Sequence, residues 1–401
     1  MSFEVAGVGT DATQVGLRAG RAFTTIPLCL GFATTGVGVA LPGALLPAML
    51  LRWHLQDEQG GRLFLLAWVG SSLGALLVRG SLRKTLLSGA VAAALGAAGL
   101  ALCAGSGAYA CMALYGLGLG LTMTSISLMI QRQSGESGTE LVRLNLLWAI
   151  GACACPSLTI RAQTTGDIRP VLCGLAFSFA MLAAWIVFQR DVSIVEITAT
   201  TAHPWTVFRT VPLGLIAMTL LITGIEASAG GWLATYARRG GHGIAEAIAA
   251  PSCFWAGLLL SRLFWSVCDR WITHDLTLRG SVVLMGAASI LLIASGSGLL
   301  ILIAAFCLGF GIGPTYPLLL SLALRFQRGG GIFVLAGVGS ACLPWLTGLV
   351  SLQQHSLRAG LAVPMVATMI MVTTSMALPL RLWGKEDATQ SAAAALPSAP
   401  H

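Results

Sequence analysis

Twelve apolar stretches run through the 401-residue chain, at 22–51, 62–79, 85–104, 107–131, 141–160, 170–189, 209–237, 245–268, 276–296, 298–324, 331–352 and 360–381. A helix needs about 20 apolar residues to cross a bilayer core of about 30 Å. Most of the stretches reach that length, and none alternates polar with apolar. The strand of a membrane β-barrel is about 10 alternating residues, so a barrel is excluded. The pattern predicts an all-α integral membrane protein with twelve transmembrane helices.

Composition supports the same reading. Charged residues make up 9% of the chain, against about 25% in soluble domains. So few charges cannot cover a water-facing surface, and lipid is the partner the chain needs. The loops orient it by the positive-inside rule. With the N-terminus in the cytoplasm, 16 of the 23 Lys and Arg fall inside and seven outside. Both termini are then expected in the cytoplasm, in a plasma membrane of the bacterial inner-membrane kind. The +8 net charge lies on one-sided loops, which argues against nucleic acid as a partner. Glu4 and Asp11 precede a first apolar run too long for a signal peptide's core, so no cleaved leader is expected.

The ten cysteines lie in the apolar runs, where they act as small apolar residues and report neither disulfides nor a metal. Cys153 and Cys155, two apart, point to different helix faces. The histidines fall in loops or tails without ligand spacing, so no metal or other cofactor is expected. Gly70-Ser-Ser72-Leu-Gly74 matches a nucleophile-elbow pattern but lies inside a membrane helix instead of a strand-to-helix turn. Gly116–Gly120 resembles part of a dinucleotide loop with no preceding strand. No enzyme chemistry is indicated.

The longest polar connection within the membrane region, 190–208, divides the helices six and six. The expected organisation is a tail at 1–21, a six-helix lobe at 22–189, a linker at 190–208, a second lobe at 209–381 and a disordered tail at 382–401. Three landmarks recur between the halves. Gly74-Ala-Leu-Leu-Val-Arg79 is echoed by Gly257-Leu-Leu-Leu-Ser-Arg262, 183 residues on. Gly116-Leu-Gly-Leu-Gly120 is echoed by Gly309-Phe-Gly-Ile-Gly313, 193 on, and Gly151-Ala-Cys-Ala-Cys-Pro156 by Gly339-Ser-Ala-Cys-Leu-Pro344, 188 on. Ordered matches at nearly constant offset imply a parallel repeat about an axis normal to the membrane, as in two-lobed secondary transporters.

These residues resemble the major facilitator superfamily, and within it the fucose-permease-like branch, over roughly residues 22–381. Gly74, Arg79, Arg83 and Lys84 stand where the superfamily carries its loop motif, with Val78 in place of the motif's Asp; Gly257 and Arg262 repeat the pattern. Arg143-Leu-Asn145-Leu-Leu-Trp148 resembles the start of the branch's fifth helix, where a His commonly stands at Trp148. Gly224-Ile-Glu226 through Gly231-Trp232-Leu-Ala-Thr-Tyr236 resembles its seventh, and Phe254-Trp255-Ala-Gly257 through Arg262 its eighth. The resemblance implies alternating access by two rocking lobes and sugar-like substrates, often carried with protons. It also implies acids on the first and fourth helices, yet 22–51 and 107–131 contain no Asp or Glu.

An ionisable group inside a membrane span is functional by default. Away from helix ends, Glu226 is the only acid so placed, with no cation visible at its depth. A carboxyl group in low dielectric can exchange a proton near neutral pH, so Glu226 is the candidate for proton coupling or substrate binding; a plain interhelical hydrogen bond is the alternative. Asn145 could bind substrate or tie helices together. Arg143 reads as an inside-facing anchor, and Arg262 either as the same for the eighth helix or as the partner of Asp269. Trp148, Trp232, Tyr236, Trp255, Tyr316 and Trp345 could stack on a sugar face, or, as Trp232 and Tyr236 suit, belong to the interfacial aromatic belt. Thr34, Thr35, Thr122, Thr124, Ser125 and Ser127 lie on helices that line the cavity in relatives. The leading expectation is a monomeric secondary transporter of a small polar, sugar-like solute. Efflux of amphipathic compounds is the second reading, and a non-transporting receptor or assembly protein on the same fold the third.

Overall fold

The computed structural model describes residues 10–134, 139–189, 196–197, 207–268, 271–326 and 331–377, with the side chains of 10–25, 132–134, 139–142, 196–197, 242, 324–325 and 331 excepted. The tail at 382–401, most of the 190–208 linker, Asp269 and Arg381 lie outside them.

Within lipid every backbone N–H and C=O must be satisfied inside the segment, which favours helices. Twelve long helices form among the described residues: α1 Thr10–Arg52, α2 Asp57–Leu76, α3 Leu82–Leu102, α4 Ser106–Ser134, α5 Thr139–Leu158, α6 Arg169–Phe188, α7 Leu213–Ala237, α8 Gly243–Cys268, α9 His274–Ala294, α10 Gly298–Phe326, α11 Gly331–Gln353 and α12 Ala362–Ala377. Short turns of helix at Ile160–Thr165, Val207–Thr210 and Leu357–Gly360 lead into their neighbours. One two-residue β pairing joins the α2–α3 loop at Gly80–Ser81 to Glu196–Ile197 in the linker. The protein is an all-α membrane protein.

By length and apolarity alone, 11 of the long helices can cross a membrane. The exception is α2. It begins at Asp57, ahead of the apolar run at 62–79, so Asp57, Glu58 and Arg62 sit in its opening turns. Its own apolar window is diluted by these charges: Glu58 pairs with Arg62 one turn on, while Asp57 finds its partners in the other lobe.

Packing repeats with a six-helix period. In the first lobe α4 packs on α2 and α3, α1 on α5, and α3 on α6; in the second α10 packs on α8 and α9, α7 on α11, and α9 on α12. Between lobes α2 meets α11, α5 meets α8 and α1 meets α7. A two-fold axis along the bundle exchanges the first two contacts and maps the third onto itself.

Glycines make these contacts close, because hydrophobicity gives helices in lipid no drive to associate and small residues permit van der Waals approach. A methyl group at Gly120 would strike the Ser71 carbonyl, and one at Gly309 the Phe254 carbonyl. Gly74 faces the Leu117 carbonyl as Gly257 faces that of Phe306; Gly151 faces Ala33 as Gly339 faces Leu220. These pairs correct the fourth-to-tenth-helix match. By contact, Gly309 is equivalent to Gly120 and not to Gly116, one helical turn away, so the offset is 189. Gly43 and Gly230, equivalent at an offset of 187, touch each other where α1 crosses α7, on the axis.

Candidate substrate site and gate

The α5–α8 contact brings aromatic side chains from both lobes together. The Trp148 and Trp255 rings meet edge to face at 5.7 Å between centroids, and Phe254 lies 4.9 Å from Trp255. Arg262, two turns along α8 from Trp255, lays its guanidinium over Trp148, 5.7 Å from the centroid, a cation–π geometry. Glu226 on α7 is within electrostatic reach of Arg262, and Tyr316 on α10 within reach of both. Glu226 stands about 20 Å from the Leu213 end of α7 at 1.5 Å per residue, near mid-membrane. Gly230, one turn on, leaves the space into which the Trp255 ring fits.

The sequence shows no cation at the depth of Glu226; the fold brings Arg262 within electrostatic range of it, with no hydrogen bond or ion pair joining the two. The signal was present, since Arg262 lies inside the apolar run 245–268, but its distance from Glu226 along the chain hid their proximity. Glu226, Arg262 and Tyr316 are partly exposed, while Trp148 and Trp255 are buried. Trp148 Nε1, Trp255 Nε1 and Arg262 Nε are buried with no hydrogen-bond partner. Buried donors without acceptors are costly, on the order of 1–3 kcal/mol each, so three in one cluster mark a place prepared for something else.

Asn145 lies one turn from Trp148 and is exposed, although Ala149 and Ala152 on the same face of α5 are fully buried. The face is therefore covered from Trp148 towards the Pro156 end and exposed at Asn145. Thr34 gives its hydroxyl to the Leu30 carbonyl at 3.0 Å and Thr35 to that of Phe32 at 2.6 Å, as membrane threonines often do. Thr122 is buried against Gly89 of α3, away from the aromatic cluster.

The remaining aromatic candidates lie outside the cluster. Trp232 is fully buried, donates to the Pro344 carbonyl at 2.9 Å and meets Phe64 of the first lobe edge to face. Tyr236 donates to the Leu292 carbonyl at 2.9 Å. Trp345 donates to Glu58 at 3.0 Å. All three serve the end of the bundle where α2 begins and α7 and α11 finish.

That end is latched shut between the lobes. Asp57 accepts two bonds from the Arg239 guanidinium at 2.6 Å each and one from the Ser351 hydroxyl at 2.5 Å. Gln163, in the short helix after α5, donates to the Ala44 carbonyl at 2.5 Å and accepts from Arg238 at 3.1 Å. Asp57 and Glu58 are buried, and as acids in the first turn of α2 they also face the positive end of its dipole. A cavity of about 610 Å3 lies over this latch, walled by Asp57, Tyr236, Arg239, Ser351, His355 and Arg358. At the opposite end Arg83 donates to the Ile186 and Val187 carbonyls and so caps α6, while Arg79 and Lys84 are exposed. Among the described residues no cluster of His, Cys, Asp and Glu could hold a metal.

No family model matches the chain, and no curated protein does. Solved structures do. A POT family transporter in complex with a thioalcohol-conjugated peptide superposes with a TM-score of 0.70 at 13% identity, over 88% of this chain and 95% of that one. The nucleoside transporter NupG gives 0.70 at 11% identity over 88% and 98%. The major facilitator superfamily transporter FucP in its outward conformation gives 0.61 at 14% identity, again over 88% and 98%. The chain has the major facilitator transporter fold.

Proposed function

We propose that the protein is a secondary transporter that carries a small polar, sugar-like solute by alternating access, coupled to protons through Glu226. The observation that carries the reading is the Trp148–Trp255–Arg262–Glu226–Tyr316 cluster. It holds an acid near mid-membrane, where acids are functional by default, and it is assembled from both lobes. The latch at the Asp57 end and the exposure of Asn145 towards the other suit a transporter closed on one side and open on the other. The lower TM-score belongs to the neighbour captured outward, in keeping with an inward-open state if the Asp57 end faces outside. Structural neighbours that carry peptides, nucleosides or fucose support transport as a class; the sugar-like substrate rests on the fucose-permease-like residues. Placement in a bacterial inner membrane with both ends cytoplasmic, and a monomeric unit, complete the proposal.

The test is uptake into proteoliposomes under an imposed proton gradient. Glu226→Gln should lose proton-driven accumulation and keep substrate exchange. Accumulation undiminished in that variant would show that the coupling acid is elsewhere.

A further inference from the structure

The donor–acceptor balance of the cluster deepens that reading and rests on it. The indoles of Trp148 and Trp255 can only donate, and so can the guanidinium of Arg262. Their buried N–H groups have no acceptor, and the cluster's only anionic acceptor is Glu226. Each hydroxyl of a neutral sugar can accept twice but also brings a donor that must itself be satisfied, so it offsets that excess only in part. A carboxylate brings acceptors alone, and charge-assisted bonds to it are the stronger kind.

Charge points the same way. Arg262 on α8 and Tyr316 on α10 are the groups that act on Glu226. The described side chains of α1, α11 and α12, also packed on α7, carry no charge except Arg52 at the far end of α1. With Glu226 ionised the site is near neutral. With Glu226 protonated it carries the single positive charge of Arg262, which a monoanion would balance.

We propose that the cluster binds the carboxylate of a small monoanionic solute, of the sugar-acid kind, on Arg262 and the two indole N–H groups while Glu226 is protonated. One proton and one anion then cross together, and no net charge moves.

Binding can be read without transport, by quenching of the intrinsic tryptophan fluorescence of the purified protein with galacturonate, gluconate, lactate and benzoate. Galactose and the methyl ester of galacturonate serve as neutral counterparts. At least one carboxylate should bind, and about tenfold or more tightly than any neutral counterpart. Binding should weaken as pH rises in the wild type and not in Glu226→Gln. Arg262→Gln should lose it. Arg262→Lys, which keeps the charge but not the Nε–H, and Trp255→Phe, which keeps a ring but not the N–H, should weaken it several-fold, with gel filtration confirming each fold. Equal binding of the neutral ester or galactose, full binding by Arg262→Gln, or no binding of any carboxylate would overturn the proposal. Counterflow in proteoliposomes separates the two readings. Carboxylate binding without counterflow would remove the transport function and leave the ligand class, whereas counterflow of galactose alone would do the reverse.

Discussion

Glu226 and Arg262 occupy adjacent helices at the lobe junction, and each changes what the other can do. A carboxylate alone near mid-membrane would face a large desolvation cost; the guanidinium reduces it, and Trp148 in turn supports the guanidinium. In the first lobe the position equivalent to Glu226, at the α1-to-α7 offset of 187, is Val39. The pair therefore belongs to one half of the repeat. Trp232 shows a different use of an aromatic residue. Fully buried and bonded to the Pro344 carbonyl, it should tolerate truncation poorly. Trp232→Ala is expected to cost about 3–5 kcal/mol and Trp232→Phe about 1 kcal/mol for the lost hydrogen bond, read as falls in thermal midpoint. Equal and negligible shifts would mean that the ring is not packed as described.

Among elements, the glycine contacts of α2–α4 and α8–α10 set how near the helices can approach. The symmetry makes a quantitative expectation. Gly120→Leu and Gly309→Leu place side chains against the Ser71 and Phe254 carbonyls and should destabilise alike, by at least the 1–3 kcal/mol or so typical of overpacking. Gly174 on α6 has nothing within 4 Å of a built Cβ. Gly174→Leu should stay within about 0.5 kcal/mol of wild type. A thermal-shift series in one detergent checks all three, and a large effect at Gly174 would contradict the packing. The same contacts show why repeats read from sequence can slip by a turn: Gly116 and Gly120 lie on one helix face, and only the carbonyls opposite them reveal which is equivalent to Gly309.

For the whole molecule, the latch and the cluster sit at different depths along one lobe interface. Asp57 ties the first lobe to Arg239 and Ser351 of the second. On the proposed function, alternating access requires this contact to break. Asp57→Ala should shift the equilibrium towards a state open at that end, by about 1–2 kcal/mol after allowing for the exposed Arg239, or about tenfold in population. Spin labels on the exposed Ile160 and Leu299, one in each lobe at the latched end, should move apart in the variant. An unchanged distance distribution would show that the latch does not hold the lobes. The orientation has its own check. A reporter fused after Arg381 should read cytoplasmic, and an external reading would reverse the assignment of the latch to the outer face.

By itself the sequence determined the helices, their two similar halves and the one acid worth singling out. Lipid imposes those features locally: a backbone that must satisfy itself, an apolar length set by membrane thickness, and a high cost for any buried charge. The opening of α2 escaped that reading because Asp57 is offset by Arg239 and Ser351, far along the chain, while Glu58, paired with Arg62 one turn on, also accepts from the distant Trp345. Arg262 escaped as the cation nearest in influence to Glu226 because it is distant along the chain, as did the sorting of nine aromatic and threonine candidates into those in the cluster and those in latch or packing. Which side chains meet across two lobes depends on helix rotation and lobe docking, which the glycine contacts fix only in three dimensions. The tertiary structure thus decided that Arg262 comes within electrostatic range of Glu226 and that three buried N–H donors of the cluster have no acceptor.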